Sequence, residues 1–361
     1  MRLWIAAGGT GGHVYPALAV AERLTADVLW IGGDGVEKEL VARAGLPYRS
    51  IAAGGLHGVG VVNVLKNTLK LLAGTVQAIK LIGQQCPDVM LTTGGFVAAP
   101  VAVACWLRRV PIVVYLPDVE PGQAVKFVAR FATKIAVTTD DSRRYFPANK
   151  IVVTGYPTRS DLGRADRATA QSQFDLVPDR KTLLVFGGSK GARSLNRAIS
   201  GMLETLLAKY QIVHISGATD AAEVRARREQ LPDELKRHYH VFEYVHAMGL
   251  ALVAADLVVS RAGASVLGEY PLFGLPSILV PYPYAWRYQR VNAEALVARG
   301  AALMLEDATL NEQLLPAIEQ LMNDDARLSA MRAAARSLAR PDPALALANE
   351  VRALAGARHA H

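Results

Sequence analysis

Cysteine is nearly absent: the 361 residues hold only Cys86 and Cys105. Two thiols are too few for a disulfide framework, and each lies in or beside an apolar stretch, where a free buried thiol is expected. A reducing compartment fits that usage. No Cys/His cluster has zinc spacing and no Asp-x-Asp pair occurs, so neither a metal nor another cofactor is expected. The G-x-G-x-x-G dinucleotide fingerprint is missing, since reading from Gly9 puts Val14 at the third glycine. That argues against an NAD-dependent oxidoreductase, and the absence of G-x-x-x-x-G-K-[ST] argues against a P-loop enzyme. Residues 1–7 run into glycines without a charged region ahead of a long apolar one, so no signal peptide is expected. Residues 89–107 carry no charge, near the length of a membrane span. Thr92-Thr93-Gly94-Gly95 interrupts them and Pro100 follows, which reads as a strand, a glycine turn and a buried helix.

What is present is ample apolar material, 51% of residues, with 20% charged and a net charge of +8. The length suits two domains, and the basic excess implies an anionic partner. No aromatic-basic RNA motif or DNA-binding motif accompanies the charge, so nucleic acid is not expected. Short β-branched runs at 3–6, 28–31, 89–91, 112–115 and 135–137 alternate with helical patterns at 13–24, 36–44, 61–82 and 96–107. The pattern restarts at Lys181. Strands are expected at 183–186, 212–215, 240–242, 257–260 and 278–280, and helices at 192–207, 221–229, 263–272 and 289–298. Alternation with near-continuous apolar strands predicts α/β architecture: two tandem Rossmann-like, doubly wound parallel-sheet domains. The domains are expected over 1–158 and 159–340, with a linker in 156–165 and a tail helix, 341–361, packing back on the first domain.

Glycine turns follow the first strand of each half. Gly8-Gly9-Thr10-Gly11-Gly12-His13 is echoed by Gly187-Gly188-Ser189-Lys190-Gly191-Ala192, one domain length later. A third, Thr93-Gly94-Gly95-Phe96, also follows a strand. Such turns bare backbone N–H groups at a helix N-terminus, which suits phosphates and other anions.

The ordered set GGTGGHVYP (8–16), GGLHG (54–58), GGFVAAP (94–100), GYPTR (155–159), GGSKGA (187–192) and RAGA (261–264) resembles the MurG family. Glu269, Gly274-Leu275-Pro276, Gln289 and Asn292-Ala293 extend the likeness across nearly the whole chain. These are N-acetylglucosaminyltransferases that complete lipid II in peptidoglycan synthesis. The resemblance implies the GT-B fold, two Rossmann-like domains facing a cleft, with the acceptor on the first and the UDP-sugar on the second. It implies that Gly188, Ser189 and Arg159 meet the diphosphate, and that Val245 offers backbone groups to uracil. Arg261, Gly263, Ala264, Ser265 and Val266 would line the nucleotide, and Glu269 would accept from the ribose hydroxyls. Gln289 and Asn292 would touch the sugar or its neighbours. Thr10, Gly11 and Gly12 would touch substrate from the first loop.

The implied reaction is an inverting, metal-independent displacement at the anomeric carbon, with UDP leaving. The acceptor hydroxyl needs a general base, and His13 is the first candidate because an imidazole titrates near neutral pH. Two segments depart from the family pattern. Tyr115-Leu116-Pro117-Asp118 stands where the family usually has His-Glu-Gln-Asn, so Asp118 is either the base or the carboxylate partner of His13. Trp286-Arg287-Tyr288-Gln289 stands where it usually has Asp-Arg-Gln-Gln, which bears on donor selectivity. These departures keep open a paralogous transferase with another UDP-sugar or lipid acceptor, and a non-catalytic nucleotide-sugar-binding scaffold. The polyprenyl tail of the family's acceptor implies peripheral attachment at the cytoplasmic face of the bacterial cell membrane. Val61, Val62, Leu65, Leu69, Leu72 and Val76 among Lys66, Lys70 and Lys80 offer the means, with Lys126, Arg130 and Lys134 extending a basic rim toward an anionic surface.

Overall fold

The computed structural model describes residues 1–55, 61–188, 191–285 and 287–359. The chain divides into two compact units, Met1–Arg159 with Arg340–His361, and Ser160–Ala339. Among the described residues the first unit carries seven parallel strands: β1 (Arg2–Ala7), β2 (Asp27–Gly32), β3 (Tyr48–Ser50), β4 (Val89–Gly94), β5 (Ile112–Leu116), β6 (Lys134–Val137) and β7 (Ile151–Val153). Their order is β3-β2-β1-β4-β5-β6-β7. The second unit carries six: β8 (Thr182–Phe186), β9 (Gln211–Ile215), β10 (Tyr239–Phe242), β11 (Leu257–Ser260), β12 (Ser277–Leu279) and β13 (Ala302–Met304), ordered β10-β9-β8-β11-β12-β13. Each sheet reverses direction of growth once, at β1/β4 and at β8/β11. Ligands of open α/β sheets bind outside the strand C-termini at such points.

The double winding follows from strands that are apolar on both faces. Leu3, Ile5 and Ala7 of β1 pack with Val14, Ala17 and Val20 of the helix Gly11–Ala21, while Trp4 and Ala6 pack with Ala98, Val101 and Ala102 of the helix Ala98–Leu107. All of these are essentially solvent-free, and each large one contributes about 2 kcal/mol by burial. The C-terminal helix Pro343–His359 belongs to the same unit: Leu347, Ala348, Val351 and Ala355 complete the core on the β1 Leu3/Ile5 face.

Three strands escape the sequence pattern, β3, β7 and β13, and all three are sheet edges of three residues each. A run that short shows neither alternation nor a sustained apolar block. The helix expected over 192–207 is two, Arg193–Gly201 and Leu203–Lys209, broken at Met202, whose φ and ψ of −121° and 14° leave the helical region. Gly201, a poor helix former, precedes the break. Lys134 does not extend a free basic rim, because its ammonium pairs with Glu350 at 3.7 Å.

Candidate active site

In the first unit His13, the Gly94-Gly95 turn and Asp118 follow the C-terminal ends of three adjacent strands, β1, β4 and β5. Gly9 (φ +90°) turns the chain into the helix Gly11–Ala21, whose N-cap Thr10 makes no side-chain capping bond and whose first turn holds no acid. No side chain of the helix's own first turn therefore compensates the partial positive charge of its start. The loop is held from behind by Glu37, 4% exposed, whose carboxylate accepts from the N–H of Gly9 at 3.1 Å and of Gly33 at 3.0 Å. A Cβ at Gly8 would stand 2.7 Å from Glu37 Oε1, so a side chain there would push aside the carboxylate that holds the loop.

The pairing of β1 with β4 shifts register between Ala6 and Ala7, skipping Thr93. The extra residue turns its hydroxyl toward the helix, where it donates to the carbonyl of His13 at 2.5 Å. Gly94 (φ +113°) and Gly95 (φ +94°) follow, and a Cβ on Gly95 would lie 2.5 Å from the carbonyl of Gly8. The two glycine turns thus interlock. His13 Nδ1 lies 3.2 Å from the carbonyl of Gly8, which can only accept. The Thr10 hydroxyl lies 3.4 Å from the same nitrogen. In the tautomer that donates from Nδ1 to the Gly8 carbonyl, the Nε2 lone pair is left to act as a base.

Tyr115, where the family pattern has histidine, is fully buried. Its hydroxyl shares a 2.7 Å hydrogen bond with Thr138 Oγ1 and donates to the carbonyl of Gly155 at 3.2 Å, tying β5 to the segment before Arg159. Burial raises the phenol's pKa far above its usual value, offset in part by the Thr138 bond, with the charge of nearby Asp118 adding to the rise. Tyr115 is thus a neutral strut. Asp118 follows Pro117 and is half-buried. The Arg159 guanidinium lies 5.4 Å from the ring centre of Tyr15, on the helix that carries His13.

The second unit repeats the design. Gly188 (φ +92°) and Gly191 (φ +79°) shape the turn after β8, and a Cβ on Gly191 would lie 2.3 Å from the carbonyl of Ser216. Ser189, Trp286 and residues 56–58 of the GGLHG motif lie outside the described residues. A buried polar chain supports the loop. Asn196 Nδ2 donates to the carbonyl of Ser216 and to Asp220 Oδ2, both at 2.9 Å, and His214 bridges Asn196 Oδ1 (2.9 Å) and the Tyr239 hydroxyl (2.7 Å).

Arg261, 9% exposed, spends its guanidinium inside the protein. It donates to Asp307 Oδ1 at 2.5 Å, to Ser194 Oγ at 2.8 Å and to the carbonyl of Val280 at 3.2 Å. Asn292 is fully buried and donates to the carbonyl of Ala262 at 3.1 Å, fixing the turn that runs through Gly263 and Ala264. Ser265 is the N-cap of the helix Val266–Phe273, again without a side-chain capping bond, and Glu269 lies half-buried in its first turn. Gln289 Oε1 accepts from the N–H of Tyr282 at 2.8 Å. Val245, half-buried, follows β10. These residues share the C-terminal edge of their sheet, as His13 and Asp118 share theirs. Glu37, Asn196 and Asp220 were not expected from sequence. A glutamate near the start of an exposed-looking helix gives no sign that its carboxylate turns inward.

The helix Val61–Gln84 exposes one stripe, Leu65 (65%), Leu69 (59%), Leu72 (60%) and Val76 (52%), flanked by Lys66 and Lys70. Trp106, Leu107 and Phe127 are exposed too, with Trp106 and Phe127 each 5.4 Å from the Phe131 ring. Among the described residues no helix is long and apolar enough to cross a membrane, and no group of His, Cys, Asp and Glu is arranged to hold a metal.

Residues 3–137 match the glycosyltransferase family 28 N-terminal domain and residues 182–345 its C-terminal domain. A Roseiflexus sp. protein named UDP-N-acetylglucosamine--N-acetylmuramyl-(pentapeptide) pyrophosphoryl-undecaprenol N-acetylglucosamine transferase is 40% identical over 96% of this chain and 94% of its own. A Desulforamulus reducens protein of the same name is 39% identical over 95% of each. The crystal structure of Acinetobacter baumannii MurG superposes with a TM-score of 0.80 at 27% identity, covering 98% of this chain and 99% of that one. A calicheamicin glycosyltransferase shares the fold at 17% identity and a TM-score of 0.70, over 99% of this chain and 98% of its own. By sequence over nearly its full length, and by the two sheets just described, the chain belongs to glycosyltransferase family 28, in its MurG branch.

Proposed function

We propose that the protein transfers N-acetylglucosamine from UDP-N-acetylglucosamine to the muramoyl-peptide of undecaprenyl-diphosphate-linked lipid I, forming lipid II for peptidoglycan. The observation that carries this reading is the His13 site: an imidazole with Nδ1 facing the Gly8 carbonyl and Nε2 set beside the Gly94-Gly95 turn. His13 Nε2 takes the proton of the acceptor hydroxyl as that oxygen attacks the anomeric carbon, the sugar–phosphate bond breaks, and UDP leaves with inversion. Asp118 holds or relays charge at the same strand ends. Thr10, Gly11 and Gly12 present the helix start to the acceptor's diphosphate.

On the second unit, Gly188 and Ser189 stabilise the leaving diphosphate. Val245 offers its backbone to uracil, Gly263, Ala264, Ser265 and Val266 line the nucleotide, and Glu269 accepts from the ribose diol. Arg261 and Asn292 serve by holding that turn, a role supported by their internal hydrogen bonds. Gln289 reaches the sugar with its amide nitrogen while its oxygen holds Tyr282. The exposed leucine stripe with its lysines seats the enzyme peripherally on the anionic cytoplasmic face of the membrane.

The test is UDP release and disaccharide formation by the purified chain, with a short-chain lipid I analogue and UDP-N-acetylglucosamine, UDP-N-acetylgalactosamine or UDP-glucose. Acceptor-dependent turnover with UDP-N-acetylglucosamine preferred is the expected result. Preference for another donor would move the assignment to a paralogous transferase, and UDP binding without turnover would move it to a scaffold.

A further inference from the structure

A basic depression lies at the other edge of the second unit's sheet, where β8, β9 and β10 begin rather than where they end. It has a volume of about 950 Å³, and its wall includes Arg180, Lys181, Lys209, Arg237 and His238. A five-residue strand at about 3.3 Å per residue separates it from the glycine turn after β8.

Its framework is rigid. Gln211, 1% exposed, accepts from the N–H of Val177 at 2.9 Å, and its amide nitrogen reaches the carbonyls of Val177 (2.9 Å) and Arg180 (2.7 Å) and Thr182 Oγ1 (3.0 Å). This side chain clamps the turn that presents Arg180, whose Nη2 donates to the carbonyl of Leu207.

Two buried donors at the depression lack acceptors among the described residues. Arg237 Nε donates to His238 Nε2 at 3.3 Å, so the neutral His238 ring carries its proton on Nδ1. His238 is 7% exposed, and both its Nδ1 and Arg180 Nε are closed off from water without a hydrogen-bond partner. Buried donors are rarely left so. Positive charge is also unmet there. Lys181 is paired with Asp325 and Lys209 with Glu319, whereas among the described residues no ion pair reaches Arg180 or Arg237, although Asp175 and Asp179 lie in the wall. Burial lowers the Arg180 pKa, and Arg237 lowers it further. Burial likewise lowers that of His238, with Arg180 and Arg237 adding to the effect.

We propose that this depression is an oxyanion site that takes a phosphate-bearing small molecule, separate from the glycine turns of the transfer reaction. Arg180 and Arg237 would grip the phosphate oxygens as forked donors, with Lys209 at the rim. The charge of the anion would offset the repulsion between the two guanidiniums and restore a counter-charge beneath which the His238 and Arg180 donors sit. The volume exceeds that of one phosphate group, which favours a diphosphate or a phosphate ester.

The experiment is calorimetric titration of the full chain with sodium pyrophosphate, and separately with inorganic phosphate, in the presence of saturating UDP so that the nucleotide site is filled. Expected is saturable binding of one pyrophosphate per chain, weakened at least tenfold in Arg237→Gln, an exposed position, and in Arg180→Gln. The affinity for UDP stays unchanged in Arg237→Gln, which reports an intact second unit. Pyrophosphate binding is also expected to shift the His238 ring ¹⁵N resonances in wild type. Binding of inorganic phosphate as well marks a monophosphate ligand, and binding of pyrophosphate alone marks a diphosphate. Absence of saturable binding, or affinities unchanged in both variants, overturns the proposal.

Discussion

The imidazole of His13 fills the space a side chain at Gly94 would take: a Cβ at Gly94 would stand 3.1 Å from both Cδ2 and Nε2 of the ring. Gly94 is also at φ +113°, where side chains are rarely tolerated. Gly94→Ala is therefore expected to displace the ring. Turnover should fall about 10²-fold or more, within the range that positioned acid–base catalysis supplies, while UDP affinity is kept. His13→Gln should lose about as much, and Gly94→Ala in a His13→Gln background should add little. Steady-state kinetics on the two single variants and the double variant decides it; additive losses would separate the two residues.

Tyr115 ties Thr138 to the Gly155 carbonyl. Tyr115→Phe removes the donor and leaves buried acceptors unmet, so stability should fall by about 1–3 kcal/mol, read by chemical denaturation. Asp118→Asn should leave stability nearly unchanged and slow turnover. Unchanged turnover would remove Asp118 from the chemistry.

His214 is fully buried, and burial lowers its pKa from 6.5 to about 4. Between these values the unfolded chain binds a proton that the folded chain refuses. Stability should therefore drop as pH falls from 6.5 toward 4 and level off below, with a contribution of roughly 3 kcal/mol from this residue. His238 and His240 are shifted in the same direction. Denaturation curves across this window should be flatter for His214→Gln, although that variant is less stable at pH 7.

Arg261 and Asp307 are 9% and 20% exposed, and the pair is nearly closed off from water. Arg261→Gln strands the carboxylate and should cost about 2–3 kcal/mol, visible as a lower melting temperature. Asp307→Asn with Arg261→Gln together should recover part of the loss. A purely nucleotide-contacting Arg261 would instead weaken UDP binding with no change in melting temperature.

Leu69→Glu places a charge in the middle of the exposed stripe of the helix Val61–Gln84. Flotation with vesicles containing anionic lipid should show wild type bound and this variant shifted to the soluble fraction, with UDP affinity intact. Equal partitioning of the two would leave that stripe without a membrane role.

The double-wound architecture was legible because β1, β4, β5, β8 and β11 are central strands, apolar on both faces, and a continuous apolar run is visible in sequence. The edges β3, β7 and β13 were not, since three residues carry no period. His13 and the glycine turns were legible through local chemistry that repeats in both halves. Glu37, Gln211 and the Asn196–His214–Tyr239 chain were not. Each is a polar residue whose partners are backbone groups or side chains distant in sequence, and burial of that kind has no local signature. Arg261 and Asn292 were expected to meet the nucleotide and the sugar, but their hydrogen bonds run inward, to Asp307, Ser194 and Ala262, and no pattern of neighbours in sequence says which way a long side chain faces.

The first unit's core includes Leu347, Ala348 and Val351. During synthesis, therefore, the amino-terminal sheet cannot seal its Leu3/Ile5 face until residues 347–355 have left the ribosome, by which time all of Ser160–Ala339 has emerged. Domains usually mature in the order they are made. Here the later-made unit can finish first, and a nonsense codon between residues 340 and 347 would spare it while leaving the earlier-made one open.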